Sequence, residues 1–117
     1  MSYLVSLAIT LCVEVPVYVA FLVTLLRVRA RSAAQCAIVV NLVSHPLGFL
    51  VIDPVLRMFI GALPALLIVE AWAWGVETLL VWMWLRRSLA TIAAIVFVAN
   101  AASFAVGTLA LLLNYCS

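Results

Sequence analysis

Apolar residues fill this chain in four long runs, and polar residues fall either between the runs or at isolated positions within them. The runs cover about residues 3–26, 33–52, 60–85 and 89–113. Each is near the roughly 20 residues that a helix needs to cross about 30 Å of hydrocarbon. The pattern predicts an all-α membrane protein with four transmembrane helices, forming one transmembrane domain over residues 1–117. The expected connectors are Arg27-Val28-Arg29-Ala30-Arg31-Ser32, a segment around Asp53-Pro54-Val55-Leu56-Arg57, and Arg86-Arg87-Ser88, none long enough to fold separately. Asp53-Pro54 reads as a helix stop, because the residue before proline disfavours the helical region and proline lacks a donor N–H. Pro64, inside or just before the third run, leaves the start of that helix open by several residues.

Composition supports the pattern. Hydrophobic residues make up 70% of the chain and charged residues 9%, far outside the range of soluble domains. All six basic residues are arginine, and the formal charge of +2 reflects where they sit in loops, not a nucleic-acid surface. No nucleic-acid partner is expected. Cys12 and Cys36 lie within apolar runs and Cys116 is at the C-terminus, so they read as small packing residues and not as a disulfide framework. The first run lacks the preceding basic residues of a secretory signal and is instead followed by Arg27, Arg29 and Arg31. It is expected to be an uncleaved helix with its N-terminus outside.

Basic residues gather in cytoplasmic loops. The first and third connectors carry five arginines and the second carries Arg57 alone, which predicts both termini on the non-cytoplasmic side. Trp82 and Trp84 precede Arg86 where amphipathic rings suit the interface. Trp72 and Trp74 lie deeper and are expected to pack or to meet lipid.

An internal pattern carries the most information. Asn41-Leu42-Val43-Ser44-His45-Pro46-Leu47-Gly48 and Asn100-Ala101-Ala102-Ser103-Phe104-Ala105-Val106-Gly107 share the spacing N-x-x-S-x-x-x-G. Each copy follows a helix carrying a glutamate, Glu14 or Glu77, and then an arginine connector. Two similar helical hairpins, 3–52 and 60–113, are the expectation, related by a pseudo-twofold axis along the membrane normal.

These motifs resemble those of a loosely defined group of small prokaryotic four-helix membrane proteins, which carry N-x-x-[ST]-H-P in one helix and A-N-x-x-S-x-x-x-G in the last. Here the matching residues are Asn41, Ser44, His45 and Pro46, then Ala99, Asn100, Ser103 and Gly107, with Glu70 and Glu77 between. The resemblance implies the architecture and a multi-pass location in a prokaryotic cytoplasmic membrane. It implies no activity.

Counted at roughly 1.5 Å per residue from the arginine connectors, Glu77 lies about 14 Å deep, Asn41 about 15 Å, Glu14 and Asn100 about 20 Å and His45 about 21 Å. These five are expected to form one polar layer near the midplane, with Ser44 and Ser103 adjacent and Glu70 two turns above Glu77 on the same side. Ionisable groups at that depth cost several kcal/mol and normally face the bundle interior or a water-filled cavity. As glue, Asn41 and Asn100 would bond between helices, Ser44 and Ser103 would bond to local backbone, and protonated glutamates would act as donors. As a pathway, Glu14, Glu77 and His45 would form a proton relay or cation site. Pro16, two residues after Glu14, frees a carbonyl one turn back, which either kinks the helix for packing or opens a polar site.

Small residues mark expected close approaches. Ala99, Ser103 and Gly107 recur every four residues in the last helix, as do Ser44 and Gly48 in the second, suggesting that these two helices pack near the pseudo-axis.

No P-loop, Gly-rich dinucleotide turn, H-E-x-x-H or C-x-x-C occurs in the sequence. One histidine with scattered glutamates is a poor metal site, and haem on His45 alone is disfavoured against a hydrogen-bonding role. Ser44 and His45 are neighbours on one helix and point in different directions without a third orienting group. Neither catalysis, cofactor nor metal is expected. With almost no mass outside the bilayer, the partners left are lipids and membrane helices, either other subunits or copies of this chain. The sequence favours a small accessory membrane protein, with a small oligomeric channel or proton-linked transporter as the alternative.

Overall fold

A computed structural model describes residues 2–116, with side chains to residue 114. The described chain is all helical. In order it forms α1 (Tyr3–Leu26), α2 (Ala30–Pro46), a π-helical segment (Leu47–Ile52), α3 (Asp53–Ile60), α4 (Ala62–Leu85) and α5 (Leu89–Cys116). α2, the π segment and α3 run on as one helical span of 31 residues, so there are four spans long and apolar enough to cross a membrane.

Local chemistry explains where the helices start and stop. The Ser2 side chain accepts the Val5 N–H at 3.2 Å and caps α1. α1 ends where Arg27 takes a left-handed conformation (φ 54°), with the Val28 N–H donating back to the Leu22 carbonyl at 3.1 Å. α4 ends in the same manner at Arg86 (φ 52°), whose N–H donates to the Trp82 carbonyl at 2.8 Å. A left-handed residue bearing a side chain costs roughly 1–2 kcal/mol. Arg86 lies 4.5 Å over the Trp82 ring, and the next residue, Arg87, donates to the Leu26 carbonyl at 2.9 Å, tying the third connector to the end of α1.

The expected stop at Asp53-Pro54 does not occur. The chain stays helical through it to Ile60 and turns at Gly61, whose φ of +84° favours glycine. Pro54 falls where the hydrogen-bond register is already changing, for the Asp53 N–H reaches the Gly48 carbonyl five residues back. At such a junction the missing proline N–H removes less than it would in a regular helix interior. The Arg57 Nε donates to Asp53 Oδ2 at 2.7 Å and braces the following turn. Pro64 sits in the first turn of α4, where its lack of an N–H is tolerated. Pro16 and Cys12 both lie on the exposed face of α1, so the carbonyl that Pro16 frees opens no interior polar site.

α1 packs between α2 and α5, and α4 closes the ring by packing against α5 and α2. α2 and α5 therefore stand at opposite corners and are not the close pair that their small-residue stripes suggested. The main apolar cluster lies at the end of the bundle that bears the arginine connectors, while the buried Ala65 of α4 stands apart from it. The cluster comprises Tyr18 and Leu22 of α1, Val28, Ala33, Cys36, Ala37 and Val40 of the first connector and α2, Val81 of α4, and Ile92, Ile95, Val96 and Ala99 of α5. Leu4, Leu42, Leu63, Phe97 and Leu112 are among the large apolar side chains exposed on the outside, which suits a surface facing lipid.

Candidate functional site

Beyond that core the helices part around a cavity of about 620 Å³. Polar residues recur at helical spacing on the faces that enclose it: Ser6, Thr10 and Glu14 on α1, Asn41, Ser44 and His45 on α2, Glu70 and Glu77 on α4, Asn100 and Ser103 on α5. Successive residues three, four or seven apart share one face of a helix, so each helix turns its polar stripe inward. The cavity floor, against the core, is made of the buried side chains Glu14, Asn41, Ser44, Glu77 and Asn100. Its other end is lined by the exposed residues Pro54, Arg57, Thr108 and Leu111 together with Asp53, which makes that end the mouth.

Hydrogen bonding at the floor is specific. Tyr18, wholly buried, donates its hydroxyl to Glu77 Oε1 at 2.9 Å. Ser103 donates to Glu14 Oε2 at 2.7 Å and also reaches the Asn100 carbonyl at 3.1 Å. Ser44 stands beside the Glu77 carboxyl, and Asn41 beside that of Glu14. The two carboxyl groups are themselves neighbours. Glu14 is 1% exposed, and its Oε1 has no hydrogen-bond donor.

Both asparagines bond within their own helices. Asn41 Nδ2 donates to the Ala37 carbonyl at 2.8 Å, and Asn100 Nδ2 donates to the Val96 carbonyl at 2.9 Å. Each asparagine thus spends a donor on its own helix four residues back.

His45 stands apart from the carboxyl pair. Its Nε2 shares a 3.1 Å hydrogen bond with Ser6 Oγ, and its ring lies 5.3 Å from Tyr3 and 5.6 Å from Phe49. Ser6 is eight residues before Glu14, roughly 12 Å along the helix, so the His45 imidazole, one residue past the floor residue Ser44, extends along the cavity wall towards the mouth.

The small residues divide. A Cβ on Gly48 would come 3.2 Å from Val69 Cγ1 and 3.5 Å from Trp72, so glycine there lets the π segment approach α4. Ala99 is fully buried in the core. Gly107 lines the cavity with nothing within 4 Å of a would-be Cβ, and it serves no close approach. Trp72 thus packs against the π segment, and Trp74 donates its ring N–H to the Ala93 carbonyl at 2.9 Å, joining α4 to α5.

Sequence reasoning missed Tyr18, Ser6 and Thr10, and a signal for them was present. With Glu14 they form the series 6, 10, 14, 18, one face of α1 at four-residue spacing. The mouth residues Asp53 and Arg57 were hidden because that segment reads as a loop. Among the described residues no three His, Cys, Asp or Glu side chains converge as metal ligands. The chain matches no family model, and no curated protein and no solved structure matches it.

Proposed function

We propose that the protein is a small proton-linked transporter whose solute path is lined by Glu14, Asn41, His45, Glu77 and Asn100. One observation carries this reading: polar side chains from all four spans face a shared cavity, and the asparagines that would have been interhelical glue bond within their own helices. An accessory subunit has no need of such a cavity. Two carboxyl groups this close repel strongly if both are charged, which makes the Glu14–Glu77 pair a natural place to hold one proton.

Five of the six arginines lie at the packed end and Arg57 lies at the mouth. By the positive-inside rule the packed end faces the cytoplasm of a prokaryotic cell, and the mouth and both termini lie outside. The bundle is then a duplicated hairpin, 3–52 and 60–113. Supporting this, Arg27 and Arg86 each stand 14 residues before their asparagine (41 − 27 and 100 − 86). Both are left-handed, and the next helix begins three residues later in each case. Across the pseudo-axis Ser103 serves Glu14 while Ser44 stands beside Glu77. At the repeat offset of 59 residues (100 − 41) Tyr18 is the counterpart of Glu77 and Ala73 that of Glu14, so the two glutamates hold different positions in the repeat and the site is asymmetric.

Tyr18 belongs at once to the apolar seal and to the floor, so its bond to Glu77 links the state of the site to the state of the seal. Release to the cytoplasm requires the seal around Tyr18, Val40, Val81 and Ala99 to part. In reconstituted vesicles the unaltered protein should pass protons or a monovalent cation, and Glu14→Gln or Glu77→Gln should abolish that flux. No flux at any pH from unaltered protein would overturn the reading and leave the accessory role.

A further inference from the structure

We infer that the cavity binds an organic ammonium cation, with Glu14 as its principal acceptor. The inference rests on the transporter reading and names the class of solute that the site takes. Three observations converge on it.

The first is an acceptor without a donor. Glu14 is buried against the cavity floor, Ser103 satisfies its Oε2, and its Oε1 receives nothing. A buried polar atom left unpaired costs roughly 1–3 kcal/mol, so a ligand N–H that fills the position gains that much over one that does not. The neighbouring Glu77 carboxyl, whose Oε1 already accepts from Tyr18, becomes a further acceptor once the proton held by the pair has left. An ammonium group carries three donors and no acceptor, which complements this pair.

The second is sign. Acidic side chains face the cavity along its depth, at Glu14, Glu77 and Glu70, while the single arginine on it is Arg57 at the mouth, paired with Asp53 at 2.7 Å. An anion would meet no compensating charge below the mouth. A cation entering the carboxyl pair displaces the proton held there, which is the exchange that a proton-linked carrier needs. The balance is simple: one positive charge arrives and one leaves.

The third is the shape and lining of the space. About 620 Å³ is room for a small organic molecule and far more than a bare metal ion requires. Ile9, Leu66, Val69, Ala73 and Phe104 supply apolar wall beside the carboxyl floor, so the ligand that fits has a charged head and an apolar body. The ammonium could be that of a free amine or of an ethanolamine lipid headgroup, and both present the same donors.

The test uses full-length protein in phosphatidylcholine nanodiscs, with benzylammonium as probe and benzyl alcohol and benzoate as neutral and anionic counterparts of the same size. Benzylammonium should bind saturably at one site per chain, and the other two should not. Glu14→Gln should weaken it by about tenfold or more, and Glu70→Gln, nearer the mouth, by less than threefold. Because a variant can lose its fold, the unaltered protein carries a second readout. A hydrophobic carbodiimide should modify Glu14, and benzylammonium should slow that modification severalfold. Equal affinity for benzyl alcohol, unchanged affinity in a folded Glu14→Gln, or absence of protection at Glu14 would each overturn the inference. Repeating the titration in phosphatidylethanolamine nanodiscs separates the sources. Competition by the lipid assigns the ammonium to a headgroup, and lack of it assigns a free amine. Binding without flux in vesicles would remove the transporter reading and keep the site; proton flux without benzylammonium binding would do the reverse.

Discussion

The two ends of this bundle are built from the same four helices and follow opposite rules. Towards the arginine connectors, Leu22, Cys36, Ala37, Val81, Ile92 and Val96 are fully buried and interlock around small residues. Towards Arg57, the same helices draw apart, and their inward faces carry serine, threonine, asparagine and glutamate around open space. In lipid, burying apolar surface does not by itself drive helices together, so close packing and shape hold the first end. The second end is held by the helix continuity through Pro54, by the tight contact at Gly48 and by few bonds across the cavity. Close packing lies in one half and the polar cavity in the other, with Tyr18 and Glu77 at the boundary.

Mutation can test that division. The largest effect is expected from Leu22→Ala in the packed end, which removes a fully buried side chain and should cost about 2–5 kcal/mol, read as a lower unfolding temperature in detergent. A loss under about 1 kcal/mol there would show that the packed end does not hold the bundle. Gly48→Leu should follow, at about 1–3 kcal/mol from overpacking against Val69 and Trp72. Tyr18→Phe leaves the ring in place and removes the donor to Glu77, so about 1–2 kcal/mol is expected. A larger change is expected in flux, because the variant unlinks seal from site. Wild-type flux in Tyr18→Phe would cut that link out of the mechanism.

The smallest effects should come from the cavity end. Asn41→Ala and Asn100→Ala each remove a bond within one helix and should cost no more than about 0.6 kcal/mol. A loss of 2 kcal/mol or more would restore them as interhelical glue. Gly107→Leu projects into empty space and should leave the unfolding temperature nearly unchanged while reducing ligand binding. Read together, Gly48→Leu and Gly107→Leu contrast two glycines of the same repeated motif, one at a contact and one at a void. Equal melting temperatures for the two would erase the difference between the ends.

Much of the fold was legible from residue order. The four spans follow from run length and hydropathy, which are local properties summed along the chain. A rise of about 1.5 Å per residue led to the expectation that Glu14, Asn41, Glu77 and Asn100 share one depth, and all four are buried and line the same cavity. The end of the second span could not be read in this way. Asp53-Pro54 is a strong local stop, yet the π segment before it shifts the bonding register, and the pairing of Arg57 with Asp53 then carries the helix on.

By itself, then, the sequence determined that this chain is a four-span membrane protein with ionisable groups deep inside it, because hydrocarbon acts on each segment independently. It marked Gly48 and Gly107 alike, and it could not tell glue from cavity. Only the tertiary structure decided that the asparagines turn back on their own helices, that Tyr18 reaches Glu77, and that one oxygen of Glu14 is left without a donor. Those outcomes depend on the rotation and offset of each helix against its neighbours, which are set by the whole bundle at once.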